Sequence, residues 1–342
     1  MIRTKITRML ALAGFAPTGK TSHSYNSLLP LLAFCVASAA WSQTPSGFRG
    51  GGAQQSKPAT DTQASAQYRF VSIEIPGAIG VGPWGAGANA WGINIAGTVT
   101  GQYGDASNNS NGFVWQNGTL QILDNPGSPD TVLASVSNRD VAVGYYGDAT
   151  ASHAATYSFA GGAWTTLPDI PGNSSNQGWG INSSGVVVGE ARVNSASNPT
   201  AWIWDPNAQS YSYFAVPGAA QDDTYPDAIN DRGQIVGSFV DTSGAVHGFV
   251  KDGEDYTTID LPGATATYVW GINNSGAIVG PWHNLSGWAE GYVRTGDGVF
   301  AVVDFPGALE TYVVGINDRG DICGFWADPK TGLWTAFVGY KL

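Results

Sequence analysis

Cysteine is scarce in this sequence of 342 residues, which contains only Cys35 and Cys323. Cys35 lies in an N-terminal segment that we expect to be removed, and a single remaining thiol cannot form an internal disulfide. Cys323 stands in an apolar strand-like segment, 321–324, where a small core side chain is the simplest interpretation. The mature protein must therefore be stable through packing alone, and a chain of this length can bury a sizeable core.

Basic side chains are also few, with 15 Lys and Arg against 26 Asp and Glu and a formal net charge of −11. No acidic residue precedes residue 40, so removal of the N-terminal segment makes the chain more acidic still. An acidic surface repels nucleic-acid phosphates and anionic lipid head groups. We therefore predict no nucleic-acid partner and no attraction to anionic membranes.

The sequence lacks an apolar run long enough to span a membrane. The nearest candidate, 28–40, is short, is interrupted by Pro30 and follows a basic leader, and 37–39 (Ala-Ser-Ala) fits a small-x-small cleavage site. These features predict a secretory signal peptide at 1–39 and an exported protein, either extracellular or periplasmic. Residues 40–67 are rich in Gly, Ser, Gln, Thr and Pro and predict a disordered linker.

Helical periodicity is missing as well, and a hairpin motif recurs instead about every 44 residues. In the copy at 268–280, YVWGINNSGAIVG, β-branched and aromatic residues flank an Asn-x-x-Gly sequence typical of a type I turn. The predicted turn residues are Asn94, Asn138, Asn182, Asn230, Asn273 and Asn317.

Two further markers keep the same period. A Gly follows the turn Asn by seven residues in five copies, whereas the second copy lacks the turn Gly and reaches Gly144 one residue early. A Pro-Gly pair also recurs once per copy, at 76–77, 126–127, 171–172, 217–218, 262–263 and 306–307. Independent markers with one period indicate a repeat protein of six units.

Each unit offers four strand-like segments, which is typical of a propeller blade. The sequence therefore predicts an all-β fold over 68–342, a six-bladed β-propeller of four-stranded antiparallel blades. The last unit ends at 334–342 without a fourth strand, and we expect the N-terminal strand 68–75 to join it and close the ring. An open β-solenoid is the competing architecture, but it would need capping repeats that the sequence does not show.

The repeat resembles the bacterial extracellular HAF-repeat family. The resemblance covers residues 68–342 and rests on 271–280 (GINNSGAIVG), 260–264 (DLPGA) and 247–250 (HGFV). The His-Ala-Phe motif itself is degraded here, since His247 precedes Gly-Phe and His153 precedes Ala-Ala. The resemblance implies an exported repeat protein of β-propeller type and no particular chemistry.

Catalytic and metal-binding motifs are absent from the sequence. It has no Gly-x-Ser-x-Gly elbow, no His-Glu-x-x-His and no Cys pair, and Arg319 interrupts the most calcium-like turn, 317–321. We therefore predict no metal and no cofactor. Acid pairs such as 222–223 and 254–255 are expected in solvated turns, although a glycosidase pair of carboxylates could be hidden among 26 acids.

Acids also stand two residues before the Pro in five units, and a Thr follows the Pro-Gly in four. A ring of carboxylates around a channel would bind a cation, but a feature repeated in most blades is better explained as an acid–hydroxyl bond that fixes a corner. The acids are Glu74, Asp124, Asp169, Asp260 and Asp304, and the threonines are Thr131, Thr224, Thr267 and Thr311.

Aromatic residues supply the remaining candidates for a site. Trp91, Trp179 and Trp270 follow the repeat and are expected to pack between blades. Trp84, in a Gly-rich insert, and Trp288, in a loop, break the repeat and suit stacking on a sugar ring. With His283 they form the speculative ligand site.

The sequence thus favours a non-enzymatic binding or structural module at or outside the cell surface, with a carbohydrate or a protein as its ligand. We expect it to be a monomer. The alternative is a hydrolase or lyase that uses carboxylates on one propeller face to act on extracellular polysaccharide. The two predict different surfaces. An enzyme needs one polar site whose acids break the repeat, whereas a scaffold shows similar faces in every blade.

Overall fold

The chain is built from strands and turns. The structure, a computed structural model, describes residues 67–82, 85–194 and 197–342, and it contains no helix within these ranges. Nothing in the described part of the chain could therefore cross a membrane as a helix. The predicted signal peptide at 1–39 and the linker up to residue 66 lie outside the described residues.

The strands follow the six sequence units in order. An N-terminal strand and a short hairpin come first: Tyr68–Ile73 (β1), Val81–Gly82 (β2) and Gly85–Ala86 (β3). The first three units contain Ala88–Ile93 (β4), Val99–Gly104 (β5), Ser110–Gln116 (β6), Thr119–Ile122 (β7), Asp130–Val136 (β8), Val141–Gly147 (β9), Ser152–Ser158 (β10), Ala163–Thr166 (β11), Ser175–Ile181 (β12), Val187–Arg192 (β13), Thr200–Asp205 (β14) and Ser210–Phe214 (β15).

The last three units contain Ala219–Ile229 (β16), Ile235–Asp241 (β17), Val246–Asp252 (β18), Asp255–Ile259 (β19), Ala266–Thr267 (β20), Gly271–Ile272 (β21), Ile278–His283 (β22), Ala289–Arg294 (β23), Phe300–Val303 (β24), Thr311–Ile316 (β25), Ile322–Ala327 (β26) and Trp334–Lys341 (β27).

These strands form several separate sheets and not one closed belt. The first unit makes the sheet β4-β5-β6-β7, and the β2-β3 hairpin stands apart. A single parallel bridge between Ser152 and Ser175 joins units two and three, and one between Val246 and Ala266 joins units four and five. The N-terminal strand β1 runs antiparallel to β27 in the order β1-β27-β26-β25.

The chain turns from the first to the second strand of each unit in the same way. In the first unit the amide of Asn94 donates to the carbonyl of Thr98 (3.1 Å), and the amide of Gly97 donates to the carbonyl of Asn94 (3.0 Å). The side-chain Oδ1 of Asn94 accepts the amides of Ala96 and Thr98, both at 3.0 Å. Asn182, Asn230, Asn273 and Asn317 accept the equivalent pairs of amides.

In the second unit the first turn residue is Ser137, so the prediction of Asn138 was one residue late. The amide of Ser137 donates to the carbonyl of Val141 (2.9 Å), as Asn94 does to Thr98. Its hydroxyl accepts the amides of Arg139 and Val141 at 3.4 and 3.3 Å. Asp140 takes the left-handed conformation (φ 54°) that glycine takes in the other turns. With this shift, Gly144 also lies seven residues after its turn residue.

That recurrent Gly lets the first and second strands approach closely. A Cβ at Gly144 would lie 1.8 Å from the carbonyl oxygen of Val132, and a Cβ at Gly324 would lie 2.0 Å from that of Tyr312. The other four positions show the same clash at 1.9–2.2 Å: Gly101, Gly189, Gly237 and Gly280. The repeat therefore keeps Gly here because no side chain fits.

The Pro-Gly pairs form tight turns at the end of each unit. All six glycines have φ between 82° and 93°, which suits the third position of a type II turn. After the turn, the Thr hydroxyl accepts a backbone amide, as Thr267 does from Leu261 (3.1 Å). The predicted acid–hydroxyl bond is observed between Asp304 and Thr311 (3.0 Å). Elsewhere the acid has another partner, such as the amide of Gly112 for Asp124 (2.8 Å).

The first strand of the fifth unit is interrupted in the structure between β20 and β21. The amide of Tyr268 donates to the carbonyl of Pro281 (3.1 Å), but Pro281 has no N–H with which to return a bond. The buried hydroxyl of Tyr292 donates to the Tyr268 carbonyl instead, at 2.7 Å. The chain thus keeps the carbonyl satisfied without a regular ladder.

Candidate functional site

The six first-to-second-strand turns form a ring, here called the turn ring. The side-chain amide of each turn Asn donates to the carbonyl of the next turn residue: Asn94 to Ser137 (3.2 Å), Asn182 to Asn230 (3.3 Å), Asn230 to Asn273 (3.1 Å), Asn273 to Asn317 (3.0 Å) and Asn317 to Asn94 (3.0 Å). Ser137 has no amide to donate to the third unit. The last of these bonds connects the sixth unit with the first, so the turns surround a common centre.

A β-bulge lies three residues before the turn residue in five of the first strands. The register shifts fall between Ala90/Gly92, Leu133/Ser135, Gly178/Gly180, Pro226/Ala228 and Val313/Gly315. In the fifth unit the strand is interrupted at the same place. A bulge leaves one residue unpaired and redirects its side chain. These axial residues are Trp91, Ala134, Trp179, Asp227, Trp270 and Val314.

The axial residues and the turn ring enclose a cavity of about 90 Å³. Its wall takes residues from the first strands of all six units. The cavity is therefore a product of the whole ring, and removal of any unit would open it.

Three tryptophans meet at the bottom of this cavity. The ring centre of Trp91 lies 6.1 Å from that of Trp179 and 6.3 Å from that of Trp270, with the planes inclined at 63° and 55°. All three belong to one buried aromatic cluster that also contains Tyr312 and Phe325. The sequence predicted these tryptophans to pack between blades, but they converge on the centre from alternate units.

Asp227 occupies the axial position of the fourth unit, where three other units place a tryptophan. Within the described part of the chain, its Oδ2 atom is buried and accepts no hydrogen bond. Burial raises the pKa of Asp227 well above its usual range, and the nearby carboxylate of Glu190 raises it further. Asp227 therefore lines the cavity as an acid that holds its proton far more tightly than a solvated aspartate.

The second residues of four turns form the mouth of the cavity. The amide of Asn274 donates to Asp231 and to Asp318, both at 2.9 Å, and the amide of Asn138 donates to Asp318 at 3.0 Å. Burial opposes ionisation of Asp231, but the amides of Ser183 and Asn274 lower its pKa. The mouth residues, Asn138, Asp231, Asn274 and Asp318, thus present two carboxylates held by two carboxamides.

A second polar cluster breaks the repeat beside Asp227. Glu190 and Arg192 on β13 are both buried and form an ion pair with Nε and Oε1 3.3 Å apart. The guanidinium lies 5.6 Å from the ring centre of Tyr225, whose hydroxyl bonds the carboxyl of Asp223. Burial raises the pKa of Asp223, because Asp223 lies in strand β16 and not in the solvated turn that the sequence suggested.

Two histidines link repeated acids at the edge of their units. Nδ1 of His153 lies 2.8 Å from Asp169 and its Nε2 lies 3.1 Å from Asp148. His247 is held likewise, 2.8 Å from Asp260. Since each histidine serves the corner of its own unit, these contacts are structural.

The predicted ligand residues do not meet at the cavity. Trp84 lies outside the described residues. Trp288 is half-buried in the loop between β22 and β23, where its amide donates to the side chain of Asn284 (3.2 Å). The ring centre of His283, the last residue of β22, lies 5.8 Å from that of Tyr268, and burial lowers the pKa of His283.

The sequence contained a signal for the residues that were missed. Aligned on the turns, the axial column reads Trp, Ala, Trp, Asp, Trp and Val, so Asp227 stands out as its only charge. Five of the six predicted turn Asn residues do form the turn ring, and Asn138 instead lies at the mouth.

Comparisons with known proteins support the fold class. No protein family and no curated protein sequence matches the chain. TolB from Acinetobacter baumannii superposes with a TM-score of 0.50 at 10% identity, over 68% of this chain and 60% of TolB, so the chain spans less than two thirds of that relative.

Two other known structures superpose on the chain with lower TM-scores. The SapL1 lectin, solved in complex with α-methyl fucoside, superposes with a TM-score of 0.48 at 18% identity, over 73% of this chain and 92% of the lectin. The β-propeller domain of the Trilobed protease from Pyrococcus furiosus superposes with a TM-score of 0.42 at 10% identity, over 70% of this chain and 77% of that domain. The superposition on TolB supports an all-β, propeller-like fold, and at 10% identity it shows the fold alone.

Proposed function

We propose that this chain is an exported, monomeric, six-bladed propeller of the HAF-repeat type that acts as a non-enzymatic binding module at or outside the cell surface. Its ligand is a carbohydrate or a protein. Six sequence units and the turn ring support six blades, and the pairing of β1 with β27 supports a last blade completed by the N-terminal strand. The basic leader and apolar run support export.

The axial cavity is the observation that carries the binding function. At the centre of the turn ring, one carboxyl oxygen of Asp227 has no hydrogen-bond partner among the described residues. A buried polar group without a partner costs about 1–3 kcal/mol. A ligand that bonds Asp227 and covers the tryptophans would remove that cost, which supports a binding role for the cavity.

A glycan array with the mature chain, residues 40–342, tests the carbohydrate arm. We expect saturable binding to one sugar class, lost in Asp227→Asn if the ligand enters the cavity and lost in Trp288→Ala if it stacks on the loop. A blank array excludes the carbohydrate arm and leaves a protein ligand, for which cross-linking on intact cells is the corresponding measurement. Fractionation and N-terminal sequencing test export and cleavage near residue 39.

A second candidate function is cleavage of extracellular polysaccharide. The observation that favours it is the concentration of acids that break the repeat in units three and four, where Glu190 lies beside Asp227. Asp227 holds a proton that it could give to a glycosidic oxygen, and the Glu190 carboxylate could act as base.

Release of reducing ends from any glycan that the array identifies would support this second function. Glu190→Gln and Asp227→Asn should then abolish release. Binding of that glycan without product over long incubation excludes cleavage and leaves the binding module.

A further inference from the structure

The axial cavity has the features of a cation site for an organic ligand. Its lower wall is aromatic, and the faces of indole rings carry negative electrostatic potential. The ring plane of Trp91 is inclined by 63° to that of Trp179 and by 55° to that of Trp270. The three rings therefore offer differently oriented surfaces to one small group.

A carboxyl group completes the aromatic wall. Oδ2 of Asp227 is buried, lines the same cavity and accepts no hydrogen bond within the described residues. The surrounding protein cannot solvate a carboxylate there, so Asp227 keeps its proton until a cation enters and supplies the counter-charge, and the proton then leaves to water. The wall itself supplies no counter-charge, since the lining residues among those described include no Lys, Arg or His.

The charges at the mouth of the cavity also favour a cation. Asp231 and Asp318 are exposed there and hydrogen-bonded to Asn274. Two turn cations, Arg232 and Arg319, bond Gln234 and Asp321 in their own units. Two carboxylates at the entrance of a low-dielectric cavity attract cations and repel anions.

The donor set does not suit a metal ion. Calcium takes six to eight oxygen ligands, and magnesium demands near-octahedral oxygen geometry. In the described part of the chain no group of three or more His, Cys, Asp or Glu side chains is placed to hold a metal. An indole wall with one carboxyl group fits a cation whose surface is made of methyl or methylene groups.

The size of the cavity limits what enters. One water needs at least about 10–15 Å³ of such space, so a cavity of about 90 Å³ is several times larger than a site for a single water. A methylated ammonium group fits within that limit. A longer ligand would leave its remaining atoms outside, against the mouth residues.

We propose that the axial cavity binds an organic ammonium group, enclosed by Trp91, Trp179 and Trp270 and paired with the carboxylate of Asp227. This inference rests on the proposed function and names the chemical class of the group that enters its site. The ammonium group can be free or carried by a larger ligand, because the mouth lies at the surface.

Choline, tetramethylammonium and 3,3-dimethylbutan-1-ol are suitable probes, since the last has the shape of choline without its charge. We expect saturable binding of both cations by calorimetry, with a change in tryptophan fluorescence, and at least tenfold weaker binding of the neutral alcohol. Asp227→Asn, which preserves shape, should weaken choline at least tenfold. Tyr213→Ala, at an exposed aromatic residue on β15 that does not line the cavity, is the control and should bind choline like the wild type.

Equal binding of choline and the neutral alcohol, or unchanged binding in Asp227→Asn, would overturn the cation assignment but leave a ligand-binding cavity. No binding of either cation would also overturn it. In that case the array decides on the proposed function separately: a ligand lost in Asp227→Asn keeps the binding module, and a ligand unaffected by that variant moves it away from the axis. Urea unfolding of each variant confirms that it is folded.

Discussion

The turn ring and the axial residues lie only three positions apart on the same strands, yet they differ completely in how far they repeat. Five turn residues are Asn and the sixth, Ser137, makes the same two bonds to its own turn. The axial column contains tryptophan, alanine, valine and one aspartate. Positions that hold the units together are constrained alike, whereas positions that face the shared cavity are free to differ and so can serve a ligand.

The largest effect is expected where the repeat leaves no room. In Gly324→Ala the new Cβ would lie 2.0 Å from the carbonyl oxygen of Tyr312, so the two strands must separate. We expect a loss of about 3 kcal/mol or more in the free energy of unfolding, measured with urea. Gly147→Ala is the control, because its Cβ would meet only Asp130 at ordinary contact distance. Equal stability of the two variants would contradict the steric explanation.

The turn ring should be nearly as sensitive. Asn273→Ala removes the two turn amide bonds and the bond to the carbonyl of Asn317. At about 1 kcal/mol for each bond, we expect a loss of about 2–3 kcal/mol in urea unfolding.

Asn273→Ser sharpens that test, because the second unit shows that serine keeps the turn bonds and loses the bond between units. We expect Asn273→Ser to lose about half as much stability as Asn273→Ala. A loss as large as that of the alanine variant would mean that the bond between units dominates.

Asp227→Asn is expected to raise the free energy of unfolding, whereas the preceding substitutions lower it. Because burial raises the pKa of Asp227, the folded protein keeps a proton that the unfolded chain releases above about pH 4. Wild-type stability therefore falls as pH rises from there towards the folded-state pKa. We expect the variant to be more stable by about 1–2 kcal/mol at pH 8, and equal to the wild type near pH 4. A difference that does not change with pH would contradict this origin.

The smallest effect is expected at the edge of a unit. Burial opposes protonation of His247, but its bonds to Asp260 and Asp241 raise its pKa above the usual value. The stabilisation is complete below the unfolded-state pKa and is lost as pH rises through the folded-state value. His247→Asn, which imitates Asn111 of the first unit, should cost less than about 1 kcal/mol near pH 5.5, because the acids are half-exposed. The cost should shrink by pH 8, as unfolding curves at both pH values would show.

The sequence was sufficient for features that depend on local chemistry. The Asn turns, the Pro-Gly turns and the recurrent Gly could be predicted because each needs a particular residue type at a fixed spacing. Asn138 was mistaken for a turn residue because a serine hydroxyl can replace the Asn side chain, and Asn138-Arg139-Asp140 imitates the motif. The repeat length was predicted correctly, but the turn of the second unit was placed one residue too late.

The cavity could not be predicted, for a different physical reason. Regular alternation assigns the faces of a strand, but a bulge shifts every residue beyond it to the other face. Neither Asp227 nor Trp179 can be assigned to the centre without knowledge that each is itself the bulged residue of its strand. Likewise, nothing in Asp222-Asp223 announces that a long strand, β16, will draw Asp223 into a half-buried position.

The pairing of β1 with β27 has a consequence for the order in which the molecule assembles. The hydroxyl of Tyr68 donates to the carbonyl of Gly320, 252 residues later. Strand β1 therefore cannot pair until β27, at the other end of the fold, has been synthesised. Contacts so distant in sequence form slowly, because the intervening chain must be organised before they repay its loss of freedom. We expect this joint to form last during folding and to open first under force, so that a circular permutant that begins elsewhere and links β27 directly to β1 would fold faster than the natural chain.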